Sequence, residues 1–542
     1  MSPNQRLMFA VALSIIFFVA YTAIFPPEET AVSPEQTKQT VAAKEDLNTH
    51  TQTTPQTTKQ KVEAATGHAI SVEDSAISAD SSNILTVTSD KFILKMDTLG
   101  RISSMELLDE RFRSKEENHA QLISQNGTKP LFLRFLDNKL NAEATSVAYT
   151  ASVDKINVDG APQKVTLTQK LSGLNVTKEI TFYEDGHYDV DVSLSQDKRY
   201  FIYVGQRPHV NETEQMMAAV GALVYSNEDL LTIVEDGDVE GRETFSNLAL
   251  AAAFDQYNAS IIYGFTPETN VIIERDREDN PVIYFEALPN MKFSGYIGPK
   301  DYKVLKNINP ILTNTIEYGW FTFASKPLFQ LLLWLHGLFG NWGWAIVAMT
   351  LLIRAILYPL TSKGMLSMAK MKDIGPEVKE IQAKYKDDKA KSGQAVMAFY
   401  QKKGVNPLGG CLPMLLQIPV FFAMYRVLLN AVELQGAPWM FWVHDLSRMD
   451  GTYVLPILMG ASMYYQQKLT PNNFTDPMQE KVFKFLPLIF TFFFVTFPSG
   501  LVLYWFTNNL FSIAQQFVVN AQFKNAKDLE IALHKNGKKS DD

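Results

Sequence analysis

The chain has 542 residues, enough for more than one domain, and its mean hydropathy is close to neutral. Its single cysteine, Cys411, excludes an internal disulfide framework and a cysteine-based metal cluster. The formal net charge of −8 argues against a nucleic-acid partner. Apolar and polar residues are segregated along the chain, so the neutral mean conceals membrane segments.

The first 83 residues predict an anchor followed by a linker. Residues 7–25 are nineteen apolar or small side chains preceded by Arg6, and no small-x-small cleavage site follows them. We therefore expect residues 1–25 to be an uncleaved transmembrane anchor that begins in the cytoplasm, with a cleaved signal peptide as the alternative. Residues 26–83 contain no Phe, Trp or Tyr and are rich in Thr, Gln, Ser and Glu, which is typical of a disordered periplasmic linker.

Residues 84–318 carry the alternation of a sheet protein. In the segment 187–195, HYDVDVSLS, every second side chain is apolar, and similar segments recur between Gly, Asn, Asp and Pro turns. The pattern predicts a large antiparallel β-sandwich in the periplasm. His187, Asp189, Asp191 and His209 are candidate catalytic residues. Because both aspartates fall on the polar face of an alternating strand, a solvated strand face is the favoured interpretation.

The rest of the chain predicts a polytopic α-helical membrane protein. Residues 319–341 predict an amphipathic helix at the outer interface, because the apolar run is too short to span before its Gly-Asn break. The helical core, 342–522, has expected spans at 342–361, 411–430, 453–467, 485–497 and 501–520. With the anchor this makes six spans and places both termini in the cytoplasm. Arg426, near the outer end of its span, is expected to snorkel outward.

A basic segment follows the first span of this core. Residues 362–410 contain ten lysines and five acidic residues, which places the segment in the cytoplasm, and its two helix-compatible halves predict a helical hairpin. Met365, Met368 and Met371 form an adaptable apolar stripe suited to varied hydrophobic ligands; packing against a partner helix or lipid is the alternative. Residues 523–542 form a basic cytoplasmic tail.

The candidate functional centre is Arg354, a charge within an apolar span. A charged residue at membrane depth is energetically expensive, so we interpret it as functional and as facing protein or water. The predicted spans contain no Asp or Glu to neutralise it, which favours a hydrated groove over an internal ion pair. A dry hydrogen-bond network between the helices is the alternative. Helical spacing and neighbouring spans supply the polar or aromatic residues expected to line the groove: Thr350, Tyr358, Gln417, Tyr504, Trp505, Asn508, Asn509 and Ser512.

Three stretches resemble the YidC/Oxa family of membrane protein insertases, and most closely its Gram-negative branch. They are TLLIRAILYPLTSKGMLSMAKM (350–371), KGVNPLGGCLPMLLQIPVFFAMY (403–425) and FPSGLVLYWFTNNLFSIAQQ (497–516). The segment YIGPKDYKVL (296–305) adds a likeness to the end of that branch's periplasmic domain. The resemblance covers nearly the whole chain outside the linker.

The resemblance implies both a fold and an activity. The fold would be a five-helix insertase core with a cytoplasmic hairpin, a groove closed on the outside, and a periplasmic β-supersandwich. Thr350, Tyr504 and Trp505 fall where the family contacts its substrates, although relatives commonly have tyrosine at the position of Trp505. The implied activity is insertion of newly made proteins into the inner membrane, alone or beside the Sec translocon, without an enzymatic step, cofactor or metal.

The sequence leaves some interpretations open. A secondary transporter or channel with an anion site at Arg354 is the main alternative, although neither inverted repeats nor discontinuous helices are visible in the sequence. A membrane-tethered carbohydrate-binding or isomerising protein would leave the basic hairpin and Arg354 unexplained. The expected partners are nascent membrane proteins, Sec components, anionic lipids and, through the basic hairpin and tail, the ribosome.

Overall fold

A computed structural model describes residues 82–112, 118–125, 127–208, 218–239, 241–266, 268–319, 322–386, 388–405, 412–469 and 477–538. The predicted anchor, nearly all of the predicted linker, and candidate residue His209 lie outside these ranges. The described part of the chain therefore begins with the β-domain.

Alternating side chains build the β-domain as expected. Along β8 and β9, Val165, Leu167, Val176 and Ile180 are fully buried, while the intervening Thr, Lys and Glu side chains are mostly less buried. The strands are β1 (Asn83–Thr88), β2 (Phe92–Asp97), β3 (Ile102–Leu107), β4 (Ala120–Gln121), β5 (Leu133–Phe135), β6 (Thr150–Ala151), β7 (Lys155–Asn157), β8 (Gln163–Leu171), β9 (Leu174–Phe182), β10 (His187–Leu194), β11 (Tyr200–Gly205), β12 (Gly221–Ser226), β13 (Leu231–Glu235), β14 (Glu243–Phe245), β15 (Leu248–Phe254), β16 (Asn258–Tyr263), β17 (Val271–Arg275), β18 (Pro281–Ala287) and β19 (Asn290–Pro299).

These strands form three sheets. A nine-stranded sheet has the order β13-β12-β15-β16-β19-β10-β9-β8-β6, and two five-stranded sheets have the orders β4-β3-β2-β1-β7 and β14-β17-β18-β11-β5. Among the described strands, β1 and β7 pair in parallel and the other pairs are antiparallel. A short helix, α1 (Asn138–Ala144), is capped by Asp137. The fold is thus a β-sandwich domain joined to a helical core.

A short connector joins the β-domain to the helical core. It consists of α2 (Tyr302–Ile308), capped by Asp301, and a 3-10 helix (Pro310–Thr315), capped by Asn309. Its buried Leu305 and Leu312 belong to an apolar cluster that also includes Leu250 of the nine-stranded sheet and Phe329 of the helical core. The two parts of the chain therefore share one continuous hydrophobic interior.

The helical core contains eight helices within the described residues. They are α3 (Thr322–Phe339), α4 (Trp342–Asp373), α5 (Gly375–Lys384), α6 (Lys389–Lys402), α7 (Leu412–Asn430), α8 (Val454–Leu469), α9 (Pro477–Phe494) and α10 (Ser499–Lys538). α10 packs against α4 and α8, α3 packs against α4 and α7, and α9 packs against α8. By length and composition alone, one described helix, Trp342–Asp373, is long and apolar enough to cross a membrane.

Several helices differ in extent from the expected spans. α4 continues to Asp373 beyond the expected span end at residue 361, because the Met, Leu, Ala and Lys residues after Thr361 favour a helix and Gly364 does not break it. α9 begins at Pro477 rather than residue 485, since proline is well accommodated in the first turn of a helix. α10 runs to Lys538, so much of the predicted tail is a helical extension.

The extension of α4 moves the start of the hairpin. α5 and α6 pack against each other around buried Ile374, Val378 and Val405, and Lys403 Nζ lies 2.9 Å from Glu377 Oε2. The helical hairpin therefore begins at Gly375 rather than at residue 362. The stripe predicted for the hairpin lies on α4 instead, and of its members Met371 contacts the hairpin's apolar cluster.

Candidate functional site

Three helices meet at one side-chain oxygen. Arg354 on α4 donates from Nε to Asn508 Oδ1 on α10 at 2.7 Å, and Gln417 on α7 donates from Nε2 to the same oxygen at 2.9 Å. Tyr504, one turn earlier on α10, lies close to the side-chain amide of Gln417. The structure thus brings together four of the predicted groove residues.

The charge of Arg354 is buried among neutral groups. Its side chain is 7% exposed. No carboxylate of the described residues lies within ion-pair distance of its guanidinium. A buried charge without a counter-ion is unfavourable by several kcal/mol, and one amide oxygen offsets only part of that. Arg354 therefore remains able to gain free energy from an anionic partner.

Other predicted residues of α4 are satisfied locally. Thr350 is 1% exposed and donates its hydroxyl to the carbonyl of Ile346 at 2.8 Å. This bond lies within the helix, so Thr350 presents its methyl group and hydroxyl lone pairs rather than a free donor. Tyr358, one turn after Arg354, is partly buried.

The polar residues of α10 divide between two directions. Asn508 faces α4 and α7, whereas Asn509 points to α8, where its Nδ2 lies 3.1 Å from Ser462 Oγ and 3.4 Å from the carbonyl of Met459. Consecutive residues of a helix differ by about 100° in direction, which separates these two amides. Ser512 donates to the carbonyl of Asn508 on its own helix. The polar side chains of α10 therefore point to two different neighbours, and Asn509 does not face Arg354.

An aromatic cluster borders the polar residues. The indole of Trp505 lies 4.7 Å from the ring of Phe421 on α7, and 5.0 Å and 6.0 Å from Phe494 and Phe490 on α9. Phe492, also on α9, points away and is 84% exposed. We call Phe421, Phe490, Phe494 and Trp505 the aromatic wall. The aromatic wall thus places an apolar surface beside the polar groups that surround Arg354.

The loop between α7 and α8, residues 431–453, ties the ends of three helices together; we call it the outer loop. Asn341, the cap of α4, donates from Nδ2 to the carbonyl of Pro438 at 3.0 Å. Gly500 of α10 donates its amide to the carbonyl of Leu446 at 2.8 Å. Asp450 accepts from the amide of Leu455 in the first turn of α8 at 2.7 Å. This network was not predicted, because loop hydrogen bonds leave no periodic signal in a sequence.

The same end of the helices docks on the connector. Arg426 is paired with the segment that follows the connector: its Nη1 lies 3.6 Å from Glu317 Oε2, and its side chain is about one-quarter exposed. Glu433 accepts from the amide of Tyr302 at the start of α2 at 3.0 Å. Burial, together with the nearby carboxylate of Asp301, raises the pKa of Glu433 to about 7. These long-range pairs could not be read from the sequence.

The candidate residues of the β-domain form local contacts. Asp189 accepts from the hydroxyls of Tyr183 at 2.8 Å and Ser294 at 2.6 Å, and His187 is paired with Asp185. Within the described residues, no group of three or more His, Cys, Asp or Glu side chains could hold a metal ion.

Comparisons with known proteins follow the same two-part division. A family model described as "YidC periplasmic domain" matches residues 84–331, and one described as "60Kd inner membrane protein" matches residues 334–527. Proteins named membrane protein insertase YidC are 45% identical over 522 residues in Campylobacter jejuni, covering 96% of both chains, and 47% identical over 519 residues in Wolinella succinogenes, covering 95% of both. The Helicobacter pylori relative of the same name is 39% identical over 552 residues, with 97% coverage of both chains.

Solved structures give a weaker likeness. An active YidC insertase aligns at 20% identity with a TM-score of 0.37, covering 80% of this chain and 92% of that one. YidC from Thermotoga maritima aligns at 16% identity with a TM-score of 0.29, covering 80% and 99%. The assignment of the chain to a family therefore rests on the sequence relatives and not on these structures.

Proposed function

The chain belongs to the YidC family of membrane protein insertases, and from that premise we propose that it moves hydrophobic segments of newly made proteins from the cytoplasm into the inner membrane through a groove containing Arg354. It is an inner membrane protein with a periplasmic domain. The observation that carries the groove proposal is the bond from buried Arg354 to a neutral amide, beside the aromatic wall.

The polar part of a substrate would use the guanidinium. Arginine has five N–H donors, and an amide oxygen is a weaker acceptor for them than a carboxylate. An acidic segment entering the groove can therefore displace Asn508 from Arg354, with Gln417 and Tyr504 supplying further hydrogen bonds. Because the contact is reversible and leaves no covalent product, we propose that Arg354 is a temporary partner and that the protein is not an enzyme.

The apolar part of a substrate would follow the aromatic wall toward lipid. Trp505 is only partly buried, and Phe492 on the neighbouring α9 is exposed. Transfer of apolar area from water to lipid supplies about 25 cal/mol per Å². The membrane potential adds about 2.3 kcal/mol per 100 mV for each negative charge that crosses. Neither source requires a nucleotide or cofactor.

We further propose the topology and partners that the charges favour. Six spans would place both termini and the α5–α6 hairpin in the cytoplasm, where the ten lysines of residues 362–410 agree with the positive-inside rule. The hairpin and the basic C-terminal extension of α10 would contact nascent chains, anionic lipids and the ribosome. Action alongside the Sec translocon is proposed from the family resemblance. The family assignment gives no support to the alternative of an anion transporter or channel.

Reconstitution tests the proposal directly. The purified full chain in liposomes should insert a single-span protein with an acidic outer segment, and the rate should fall in the order wild type, Arg354→Lys, Arg354→Ala, because lysine keeps the charge but loses the fork of donors. Arg448→Ala, which removes an arginine from the outer loop, is the matched control and should insert normally. Insertion by Arg354→Ala at the wild-type rate for every substrate would refute the role of the charge. Anion flux without insertion would refute the function.

A further inference from the structure

Two aromatic residues of the outer loop have an unfavourable backbone conformation. Phe441 has φ of +55° and Tyr453 has φ of +60°, both in the left-handed region. For bulky residues this conformation costs about 1–3 kcal/mol and persists only where the surroundings compensate. Yet Phe441 is 75% exposed and Tyr453 is 46% exposed. Because both side chains are exposed, packing among the described residues offsets little of this backbone strain.

The turn that presents Phe441 is fixed rather than loose. The rings of Phe441 and Trp442 stack with centroids 6.0 Å apart and planes 18° apart. Trp442 donates from Nε1 to Asp450 Oδ2 at 3.2 Å, and the amide of Tyr453 donates to the carbonyl of Asp450 at 3.0 Å. Asp450 therefore holds both Trp442, on which Phe441 stacks, and the backbone of Tyr453. The fold thus fixes the orientation of the two exposed aromatic residues.

The turn adjoins exposed apolar side chains at the ends of the helices, although its own loop also exposes polar residues such as His444 and Arg448. The turn is tied to α4, because Asn341 Nδ2 lies 3.2 Å from the carbonyl of Trp439 and the rings of Trp439 and Trp344 are 5.8 Å apart. Large apolar side chains are exposed on the end of α3 and the starts of α4 and α8: Leu338, Phe339, Trp344, Val454 and Ile457. Phe441 and Tyr453 are thus continuous with the surface that the proposed topology places in lipid.

We propose that Phe441 and Tyr453 are lipid anchors that insert into the boundary between headgroups and acyl chains of the outer leaflet. Aromatic side chains concentrate at this boundary because their rings are apolar while their edges tolerate water. The inference rests on the proposed topology, which puts the outer loop on the periplasmic side. The anchors hold the outer loop, and with it the Asn341 cap, at a fixed depth. Arg354 follows Asn341 by 13 residues (354 − 341), or about 20 Å of helix, so its depth is fixed too.

Spin-label accessibility measures this depth. In the full chain with Cys411→Ala, a nitroxide is attached at Phe441→Cys or at Gly451→Cys, an exposed position of the same loop where an added Cβ would have no neighbouring atom within 4 Å. In liposomes of phosphatidylethanolamine and phosphatidylglycerol, the label at 441 should collide with oxygen freely but with a polar nickel chelate about threefold less than the label at 451, since hydrocarbon excludes polar solutes. Equal nickel accessibility at the two positions would overturn the proposal.

A second measurement keeps the aromatic ring in place. A nitroxide at His444→Cys, exposed and three residues after Phe441, reports the loop's depth with Phe441 present. Adding Phe441→Ser should raise its nickel accessibility about twofold, because the loop loses an apolar anchor; no change would also overturn the proposal. Reaction of Gly451→Cys with an impermeant maleimide in spheroplasts tests the topology separately. Failure there would refute the sidedness without affecting the depth result.

Discussion

Arg354 and Asn508 are joined by a hydrogen bond of 2.7 Å between a buried guanidinium and a neutral amide. The residues are 154 positions apart in the chain and lie on different helices. Because Gln417 donates to the same oxygen of Asn508, loss of the amide would release two donors at once. The charge at this site is therefore held in position without being neutralised, which suits a group that must exchange partners.

The first prediction concerns a variant in which the charge of Arg354 is neutralised permanently. Asn508→Asp should form an ion pair with Arg354, and an acidic substrate segment would then have to compete with an internal carboxylate. A competing interaction of about 1.4 kcal/mol reduces occupancy about tenfold. We expect the insertion rate of a substrate with an acidic outer segment to fall by about that factor, and that of a neutral substrate to change much less.

Asn520→Asp is the matched control for this variant. It adds the same charge to α10 but lies about three turns further along the helix, where Asn520 Oδ1 accepts from Gln516 Nε2, a bond that a carboxylate can keep. Normal insertion of both substrates is expected. If Asn508→Asp inserted the acidic substrate at the wild-type rate, charge attraction at Arg354 would not contribute to insertion.

Much of this fold was predictable because it follows from periodic patterns. Alternation along β8 to β10 predicted buried Val190 and Val192 with Asp189 on the less buried face, and the structure places them so. The absence of Asp and Glu in the predicted spans led to the expectation of a hydrated groove, whereas in the structure Arg354 is buried and hydrogen-bonded to Asn508. In the structure Gln417 and Arg354 donate to the same oxygen of Asn508.

Contacts without a periodic signal were not predictable. Asn508 and Asn509 were assigned to one face, yet a rotation of about 100° per residue sends them to different neighbours. The pairing of Arg426 with Glu317 depends on how the connector returns to α7, which no local pattern specifies. α4 extends past residue 361, the expected end of the span, because hydropathy marks where a span ends but not where the helix ends.

The second prediction concerns the contact between α4 and the outer loop. A Cβ atom at Gly343 would lie 2.2 Å from Trp439 Cδ1, so Gly343→Ala must displace the indole. Overpacking of this kind costs about 1–3 kcal/mol. We expect a lower thermal midpoint for the full chain in detergent and increased ion leakage through liposomes that contain it.

Gly337→Ala is the control for this substitution. Gly337 lies within α3 and nothing is within 4 Å of its would-be Cβ, so alanine should raise helix stability slightly and leave leakage unchanged. A Gly343→Ala protein with the same thermal midpoint and the same leakage as Gly337→Ala would show that Trp439 moves aside freely and that its contact with α4 does not limit ion leakage.

The third prediction concerns pH. Four groups face Glu433: Asp301 and Tyr302 at the start of α2, Tyr318 after the connector, and Arg111 in a 3-10 helix of the β-domain (Glu110–Phe112). Burial, together with repulsion from Asp301, raises the pKa of Glu433 from 4.5 to about 7 in the folded protein. The folded state thus binds the proton more tightly than the unfolded state, so this contribution is complete below pH 4.5 and lost as the pH rises through about 7.

Thermal unfolding between pH 5 and pH 8 measures this effect. The wild-type midpoint should fall across that window, and Glu433→Gln, which is neutral at every pH and keeps an acceptor for the amide of Tyr302, should flatten the decline. Glu228→Gln, an exposed residue of the β-domain, should leave the slope as in wild type. An identical slope in wild type and Glu433→Gln would show that another group dominates.

The fourth prediction concerns the contact between α8 and α9. A Cβ atom at Gly460 would lie 1.8 Å from Thr491 Oγ1 and 3.0 Å from Thr491 Cβ, so Gly460→Ala must push α9 away from α8. Because α9 carries two members of the aromatic wall, Phe490 and Phe494, this movement should disturb their packing on Trp505. We expect a loss of about 1–3 kcal/mol in stability and a slower insertion of strongly apolar segments.

Thr491→Ala separates steric from other causes. It removes the hydroxyl that clashes, whose native bond to the carbonyl of Pro487 at 2.7 Å is local to α9, so alone it should have a small effect. In the double variant it should restore much of the stability that Gly460→Ala loses, giving a coupling energy of about 0.5–3 kcal/mol between residues in contact. Strictly additive effects of the two substitutions would show that α9 does not approach α8 through this pair. In that case the ring contacts of Phe490 and Phe494 with Trp505 would be what keeps α9 in the aromatic wall.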